Sequence, residues 1–590
     1  MSGRRLLAGV LALTLAACGG GNATGQGFSR TWRNDGGESI ARLEQEQRTL
    51  PKAANTPVAV GVTAKGLRGV ALPDGDVWHV TTQVDVVPSV AGNLVIATGG
   101  DELFALDAKT GKKQWSVPAQ GRRLRGAADD GGTTVVALGG DRPGDSLLLF
   151  VDRAGAVVFE AEPEPEIGVP GARGGVAFVP FGDQYVVALE IPTGRELARV
   201  LLRDLVSRSL NVGGTLYFGE QAFVRYDDAI RFASSNKANR FVFPVRPLPG
   251  NPRWLGSGQA VAAVDDSARS RIRLFALPNA SGDGQGLANG AYAATYFRVV
   301  YAFTPPKGGL LFADALPAEA VGGAAFASGF AFCDASGKVH LYGATGGRSK
   351  TLDLGERIRA CEVDGSALTL PAGTPRGPLV QQIDATLSNL EPDMAAAAGL
   401  LIDELGRLPD PDVTRVLIAL AQNSRIINEQ RTLVRRLLSE RRSGSDEMLA
   451  ALARHYDFVS GEQPPPVGPL ADALAAMKES RAAAPLARHL NDPATSEEDV
   501  EHAARALEVV GTAAEVEDLR TFFALYRATA TSTELVNAVI SVASTLLRVG
   551  GAEGKAIVDR AGLDPLTLPE VRKALAALTA KPAPAASSGG

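Results

Sequence analysis

The chain has 590 residues, of which 45% are hydrophobic and 21% charged, and its formal net charge is −5. That composition is enough to bury more than one core and excludes a disordered chain. The acidic balance excludes a nucleic-acid surface, which needs clustered Lys and Arg, and three cysteines in such a length exclude a disulfide-dense scaffold.

Residues 1–17 follow the order of an export signal, with Arg4 and Arg5 ahead of an apolar stretch from Leu6 to Leu15. Leu15-Ala16-Ala17-Cys18 resembles the bacterial lipobox, which implies lipidation of the Cys18 thiol and cleavage just before it. The bland alternative is an ordinary secretory signal with an incidental cysteine. The apolar run falls short of the roughly 20 residues a bilayer requires. The mature chain is therefore expected to be anchored by lipid and not to span. Several acyl chains make such attachment effectively permanent. Gly19, where many inner-membrane lipoproteins carry Asp, implies by the same resemblance the outer membrane of a bacterial envelope, its facing side left open. Residues 18–58 read as the lipidated cysteine and a flexible tether, Gly-rich from Gly19 to Gly27. Residues 37–49 have the pattern of one short helix before Pro51, with no function assigned.

Residues 59–376 are rich in Gly, Val and aromatic residues with turn signals at short intervals. The clearest unit runs from Trp78 to Trp115. It predicts strands at Leu94–Thr98 and Leu103–Leu106, separated by Gly99-Gly100-Asp101 and followed by Asp107-Ala108-Lys109-Thr110-Gly111. Asp107 is placed to accept hydrogen bonds from the turn backbone, and Trp115 to pack its strand against the next unit. Ala105-Leu106-Asp107-Ala108, Thr110-Gly111 and Trp115 resemble the repeat of the pyrroloquinoline-quinone-type (PQQ-like) β-propeller family. Val151 to Gly155 with Phe159, Ala188 to Gly194, and Phe330 to Gly347 repeat the unit. Gly213 to Phe218 with Val224-Arg225-Tyr226, and Arg273 to Leu277, read as degenerate copies. Over residues 60–375 a period near 40 implies about seven four-stranded blades, with six or eight accommodated. A solenoid of sheets is the structural alternative.

The family divides into quinone-dependent dehydrogenases and binding propellers, among them the lipoprotein of the outer-membrane β-barrel assembly machine. The dehydrogenases use a vicinal disulfide, calcium-binding carboxylates and an aspartate base. No Cys-Cys pair stands in this sequence, no calcium ligands map, and the repeated Asp and Gly read as turn residues. With Cys18 acylated, Cys333 and Cys361 remain, either as a disulfide across neighbouring strands or as two separate buried thiols.

Residues 377–580 are dominated by Ala, Leu, Arg and Glu at helical spacing. Capping boxes are predicted at Ser496/Asp499, Thr512/Glu515 and Thr531/Glu534, and C-terminal caps at Gly511 and Gly550. Ala484 to Pro493 followed by Val500 to Val510 resembles a HEAT-type repeat, echoed at Asp410 to Leu420; such helix pairs stack into an extended binding surface. Residues 380–580 hold 29 acidic and 20 basic side chains, which disfavours anionic lipid or nucleic acid as a partner. Residues 581–590 read as a disordered tail.

The five histidines, His79, His340, His455, His489 and His502, are not spaced as metal ligands on one helical turn; His489 and His502 read as solvated or capping. Asp283 with the glycines of 282–286 reads as a loop. No phosphate-binding loop or nucleophile elbow is present. The expected architecture is multidomain, an all-β propeller followed by an all-α HEAT-like domain. No catalytic, cofactor or metal site is assigned. The expected function is a lipid-anchored, non-catalytic envelope scaffold binding other envelope proteins, with membrane contact through the anchor alone. Alternatives are a glycan or small-ligand sensor, or a divergent quinone-dependent propeller enzyme; a central pocket with convergent carboxylates would favour the enzyme.

Overall fold

The computed structural model describes residues 56–580 except 143, 202–205, 213–214, 220–222, 226–239, 242–252, 258–259, 265–271, 275–291, 305–308, 327–328, 345, 365–377, 392–393 and 455–462. The signal, Cys18, the tether up to residue 55, the 37–49 helix, the 282–286 loop, His455 and the tail lie outside the described residues. The chain divides into two compact units, Met1–Gln382 and Ile383–Gly590.

In the first unit, short apolar runs broken by Gly and Asp turns pair as antiparallel hairpins. The described strands form seven four-stranded sheets and one two-stranded sheet, numbered here 1 to 8 in chain order. Sheet 2 shows the pattern: Ser89–Ala91 is innermost, then Leu94–Gly99, Glu102–Asp107 and outermost Lys113–Pro118. Sheet 3 repeats it with Arg123–Asp129, Thr133–Gly139, Ser146–Asp152 and Val157–Ala161, and sheet 4 with Gly171–Arg173, Val176–Phe181, Tyr185–Glu190 and Glu196–Leu201. Sheet 5 begins at Arg208–Val212, and sheet 6 is the pair Arg253–Ser257 and Ala260–Val264. Sheet 7 ends in Gly309–Ala315, and sheet 8 comprises Ala320–Phe326, Gly329–Asp334, Lys338–Gly343 and Arg348–Asp353. The innermost strands of sheets 1 to 5 lie side by side, and that of sheet 8 lies beside that of sheet 1. Apolar cores fill the spaces between neighbouring sheets, as in a propeller-like arrangement.

The residues that mark the repeat in sequence are the ones that join sheets. Trp78, on the outer strand of sheet 1, lies under Gly111 of sheet 2; a methyl on that glycine would stand 2.6 Å from the indole. Trp78 Nε1 donates to Ala108 O at 3.0 Å. Gly155 of sheet 3 faces Trp115 of sheet 2 at its Cβ, 2.7 Å from where a methyl would stand, and Gly194 and Gly346 face Phe159 and Phe312. Asp107 Oδ1 caps its turn, accepting from Thr110 N at 2.8 Å and Thr110 Oγ1 at 2.7 Å. Asp152 Oδ1 accepts from Ala154 N and Ala156 N at 2.9 and 2.8 Å. In the later copy Asp334 to Gly337 joins the second and third strands of sheet 8, the place Gly99 to Asp101 holds in sheet 2, and Gly346 lies between the third and fourth strands, the place of Gly111.

Sheet 1 is assembled from both ends of this unit. Val58–Val62, Leu67–Ala71 and Val77–Val80 supply three strands, and Ala360–Asp364, some 300 residues later, supplies the innermost, antiparallel to Val58–Val62 with Gly61 opposite Cys361. Cys361 is joined to Cys333 of sheet 8 by a disulfide, with Cα atoms 6.2 Å apart.

The second unit is helical. Its α-helices are α1 Leu379–Ser388, beginning at the boundary, α2 Ala395–Gly406, α3 Asp412–Ala421, α4 Asn428–Ser439, α5 Ser445–Leu452 and α6 Val467–Ala476. They continue as α7 Ala483–Leu490, α8 Glu497–Val510, α9 Val516–Tyr526, α10 Thr533–Val549, α11 Gly551–Leu563 and α12 Pro569–Ala580. The even-numbered helices α2 to α12 pack in succession as one layer, and α3, α5, α7 and α9 as another, so hairpins stack on hairpins. Arg441, 6% exposed, ties successive hairpins by donating to Leu408 O at 2.6 Å and Asp410 O at 2.8 Å.

Ser496 caps α8, accepting from Asp499 N at 3.3 Å, and Thr512 forms the reciprocal box with Glu515 on the turn before α9. At α10 the expected cap is displaced by one residue: Ser532, not Thr531, accepts from Leu535 N at 3.2 Å. Either hydroxyl suits a cap, and helix phase selects Ser532, because burying Leu535 and Ala538 fixes where the helix starts. Gly511 and Gly550 do end α8 and α10, but with φ of −61° and −85°, outside the left-handed region. There the need for glycine is steric, since a Cβ would stand 2.6 and 2.7 Å from the carbonyls of Leu507 and Leu546.

His489 and His502 do not share a surface role. His489 is 1% exposed and its Nε2 stands 2.9 Å from the Leu452 carbonyl at the end of α5. His502 on α8 is half-exposed, with Nδ1 2.8 Å from Asp472 Oδ2 of α6, and Arg505 closing the group. The bond to Asp472 raises the His502 imidazole above its ordinary value against desolvation and the nearby Arg505, with Asp499 adding attraction. A raised folded value means that this pair's contribution is whole below the unfolded value of 6.5 and lost as pH rises through the folded one. The helical unit is therefore expected to melt lower at pH 8 than at pH 6, and His502→Gln to flatten that slope in thermal melts monitored by helical circular dichroism.

Candidate functional site: a charged rim on one end of the sheets

The turn between second and third strands and the link to the next sheet emerge at the same end of each sheet, which brings residues distant in sequence into one rim. The 119–122 link between sheets 2 and 3 is pinned by Asp101 Oδ1, which accepts from Gly121 N at 2.6 Å. Arg122 then reaches across sheet 3. Its Nε donates to Asp145 Oδ1 at 2.7 Å, its Nη2 to Glu162 Oε1 at 2.9 Å, and its Nη1 to Gln120 Oε1 at 3.0 Å. Gln120 Nε2 donates in turn to Glu160 Oε1 at 3.1 Å. Arg125 pairs with Glu166, and Arg123 lies 3.7 Å from Asp141. Burial opposes the Arg122 charge, yet the bonds to Asp145 and Glu162 hold its guanidinium above the ordinary value.

The acidic side of this rim is a run of alternating residues, Glu160-Ala161-Glu162-Pro163-Glu164-Pro165-Glu166, whose four glutamates are exposed while Ala161 and Pro163 are buried. Alternation sends the apolar members inward and the carboxylates outward, and the prolines keep the link extended without asking for ladder hydrogen bonds. Sequence reasoning did not single out this run, although its Glu-x-Glu alternation is a signal that could have marked it, and Arg122 and Asp145, which organise it, are brought to it only by the fold. A rim fixed by ion pairs can hold a partner's surface and orient it by charge.

An Asp-His-Thr arrangement among the described residues has the form of a catalytic relay but is buried. His340 Nε2 stands 2.8 Å from Asp334 Oδ2, and Thr351 Oγ1 stands 3.3 Å from His340 Nδ1. Asp334 is 0% and His340 1% exposed, so no substrate reaches them. Asp334 also accepts from Ser336 N, Ser336 Oγ and Lys338 N, which makes it the cap of its hairpin. Burial pushes the His340 imidazole down although Asp334 pulls it up, and the neutral ring serves as a strut between strands. Sequence spacing gave no sign of this cluster beyond the Asp-x-x-Gly turn. His79 is exposed on the outer strand of sheet 1. Among the described residues no group of three or more His, Cys, Asp or Glu is placed to hold a metal ion, and no helix is long and apolar enough to cross a membrane.

Residues 64–220 match the family model described as outer membrane protein assembly factor BamB. The matched region comprises sheets 2 to 4 with the adjoining parts of sheets 1 and 5, and so contains the Trp78, Trp115 and Phe159 contacts and the whole Arg122 rim. It is a BamB-like, PQQ-like repeat region. No curated protein matches the sequence. Among solved structures, BamB from Moraxella catarrhalis is 16% identical, with 50% of this chain and 84% of that chain covered at a TM-score of 0.27. Sqt1 of Saccharomyces cerevisiae is 12% identical, with 46% and 86% covered and a TM-score of 0.32.

Proposed function

We propose that the chain is a non-catalytic interaction protein of the bacterial envelope, held to the outer membrane by lipid on Cys18, that binds other envelope proteins through its propeller and HEAT-like helical repeats. The observation that carries this reading is the match of residues 64–220 to a family described as an outer membrane assembly factor. The charged rim falls inside that match. Residues 59–376 are taken as the propeller, closed by the late strand of sheet 1, and residues 377–580 as the HEAT-like arm. The lipobox supplies the anchor and residues 18–58 the tether that lets both stand off the bilayer. A rim of fixed charges speeds and orients encounter with a partner of complementary potential and does little chemistry of its own.

The test is affinity capture of the lipidated protein from crosslinked envelopes, repeated with Glu160, Glu162 and Glu164 each changed to Lys. One reproducible set of envelope proteins is expected with the native chain and is expected to fall at least tenfold with the variant. Capture of no specific set by the native chain refutes the interaction reading. Capture unaffected by the variant moves the contact away from this rim to the helical arm.

A further inference from the structure

The seam between sheets 8 and 1 is where the two ends of the first unit meet. The closing strand Ala360–Asp364 pairs over five residues with Val58–Val62. Beside it stand exposed or half-exposed ion pairs, Arg68–Glu356 at 3.1 Å, Lys65–Glu356 at 3.6 Å and Lys350–Asp74 at 2.8 Å. Such pairs hold little on their own. The seam is also where the disulfide lies, between Cys333 of sheet 8 and Cys361 of the closing strand. Each cysteine faces a glycine in the register of its sheet, Cys333 opposite Gly322 and Cys361 opposite Gly61. A methyl at Gly322 would stand 2.0 Å from the Cys361 carbonyl, so glycine there is what lets the closing strand come close enough to be bridged. Cys333 is 0% and Cys361 4% exposed, inside the core shared by the two sheets.

From this placement we infer that the Cys333–Cys361 bond is a covalent latch on the ring seam, installed by dithiol–disulfide exchange and protected afterwards by the closed seam. In the exchange each cysteine gives up its thiol proton, the two sulfurs form one bond, and the two electrons and two protons pass to an incoming disulfide, which leaves as a dithiol. The oxidant is thus a disulfide of an oxidising compartment, small or protein-borne; the envelope reading above is used only to say where it is met. Because both sulfurs are buried, exchange in either direction needs the seam to part, and reduction of the native chain reports seam opening. The strand carrying Cys361 is also the last of the ring before the chain runs on to the helices, so the latch holds the point at which a pull on the helical arm would first peel the ring.

The test uses the chain from residue 18 onward with Cys18→Ser, purified from an oxidising compartment, and needs no partner, so its failure is separate from failure of envelope capture. Unfolded without reductant, the chain is expected to show no titratable thiol, and with reductant two. Dithiothreitol is expected to reduce the native chain at least a hundredfold more slowly than the urea-unfolded chain. Once reduced, the melting midpoint of the sheet unit is expected to fall by about 5–10 °C while the helical transition stays in place. Cys333→Ser with Cys361→Ser should match the reduced chain; if that variant does not fold, the native chain reduced in place supplies the same reading. Two free thiols in the unreduced chain, equal reduction rates in folded and unfolded chains, or an unchanged midpoint would each overturn the latch.

Discussion

Trp78→Ala is expected to destabilise the sheet unit by about 3–5 kcal/mol, read as a lower urea midpoint of its unfolding transition. The indole is 7% exposed and packs in the core between sheets 1 and 2 with Val95, Phe104 and Leu106. Its loss also strands the Ala108 carbonyl that Nε1 satisfies at 3.0 Å. Gly111→Ala should cost two separable amounts. One is backbone strain, about 1–2 kcal/mol, because φ is +68°. The other is collision of the new methyl with the indole, 2.6 Å away, about 1–3 kcal/mol. In the Trp78→Ala background the collision disappears and only the strain remains, so the double variant should be less destabilised than the sum of the singles. Additive costs would refute the contact. Trp115 offers a contrast: its Nε1 is buried without a partner among the described residues. The turn it faces closes from Gly155 N to Asp152 O, one residue tighter than the closure from Gly111 N to Asp107 O beneath Trp78. Trp115→Phe is accordingly expected to be cheaper than Trp78→Phe by about one hydrogen bond, or 1 kcal/mol.

These contacts explain what could be read from the sequence. The Asp107, Gly111 and Trp115 spacing is local, and each residue type has one physical task, so the hairpins and the packing strand were legible. The unit at Phe330 to Gly347 follows the same locality: Asp334 to Gly337 joins its second and third strands, and Gly346, against Phe312, stands between its third and fourth. The pairing of Val58–Val62 with Ala360–Asp364 was not legible, because nothing near either segment in sequence says that strands so far apart pair. The Arg122 rim was hidden for the same reason, since its carboxylates come from two other turns. In the helical unit, cap residue types were legible and their phase was not: Thr531 and Ser532 are equivalent until the buried face of α10 chooses between them.

Asp334→Ala is expected to cost the sheet unit about 3–5 kcal/mol, while Thr351→Val costs about 1 kcal/mol. The carboxylate receives three hydrogen bonds from Ser336 and Lys338 on one oxygen and faces His340 with the other at 2.8 Å. Alanine leaves two backbone donors, a hydroxyl and a buried imidazole without an acceptor. Asp334→Asn should recover part of the loss, since its oxygen can keep the turn and its amide can donate to His340 in the other tautomer, with Nδ1 donating to Thr351. The ranking Ala, then Asn, then native is a stability ranking, and a catalytic relay would show its losses in activity with stability intact. Burial lowers the His340 value, so the unfolded chain takes up a proton that the folded one resists. That contribution is present above the unfolded value of 6.5 and drains as pH falls below it toward the folded value. His502 has the opposite sign. Between pH 6 and 8 the sheet transition should therefore rise as the helical transition falls, and two melts moving together would refute the assignment of these two histidines.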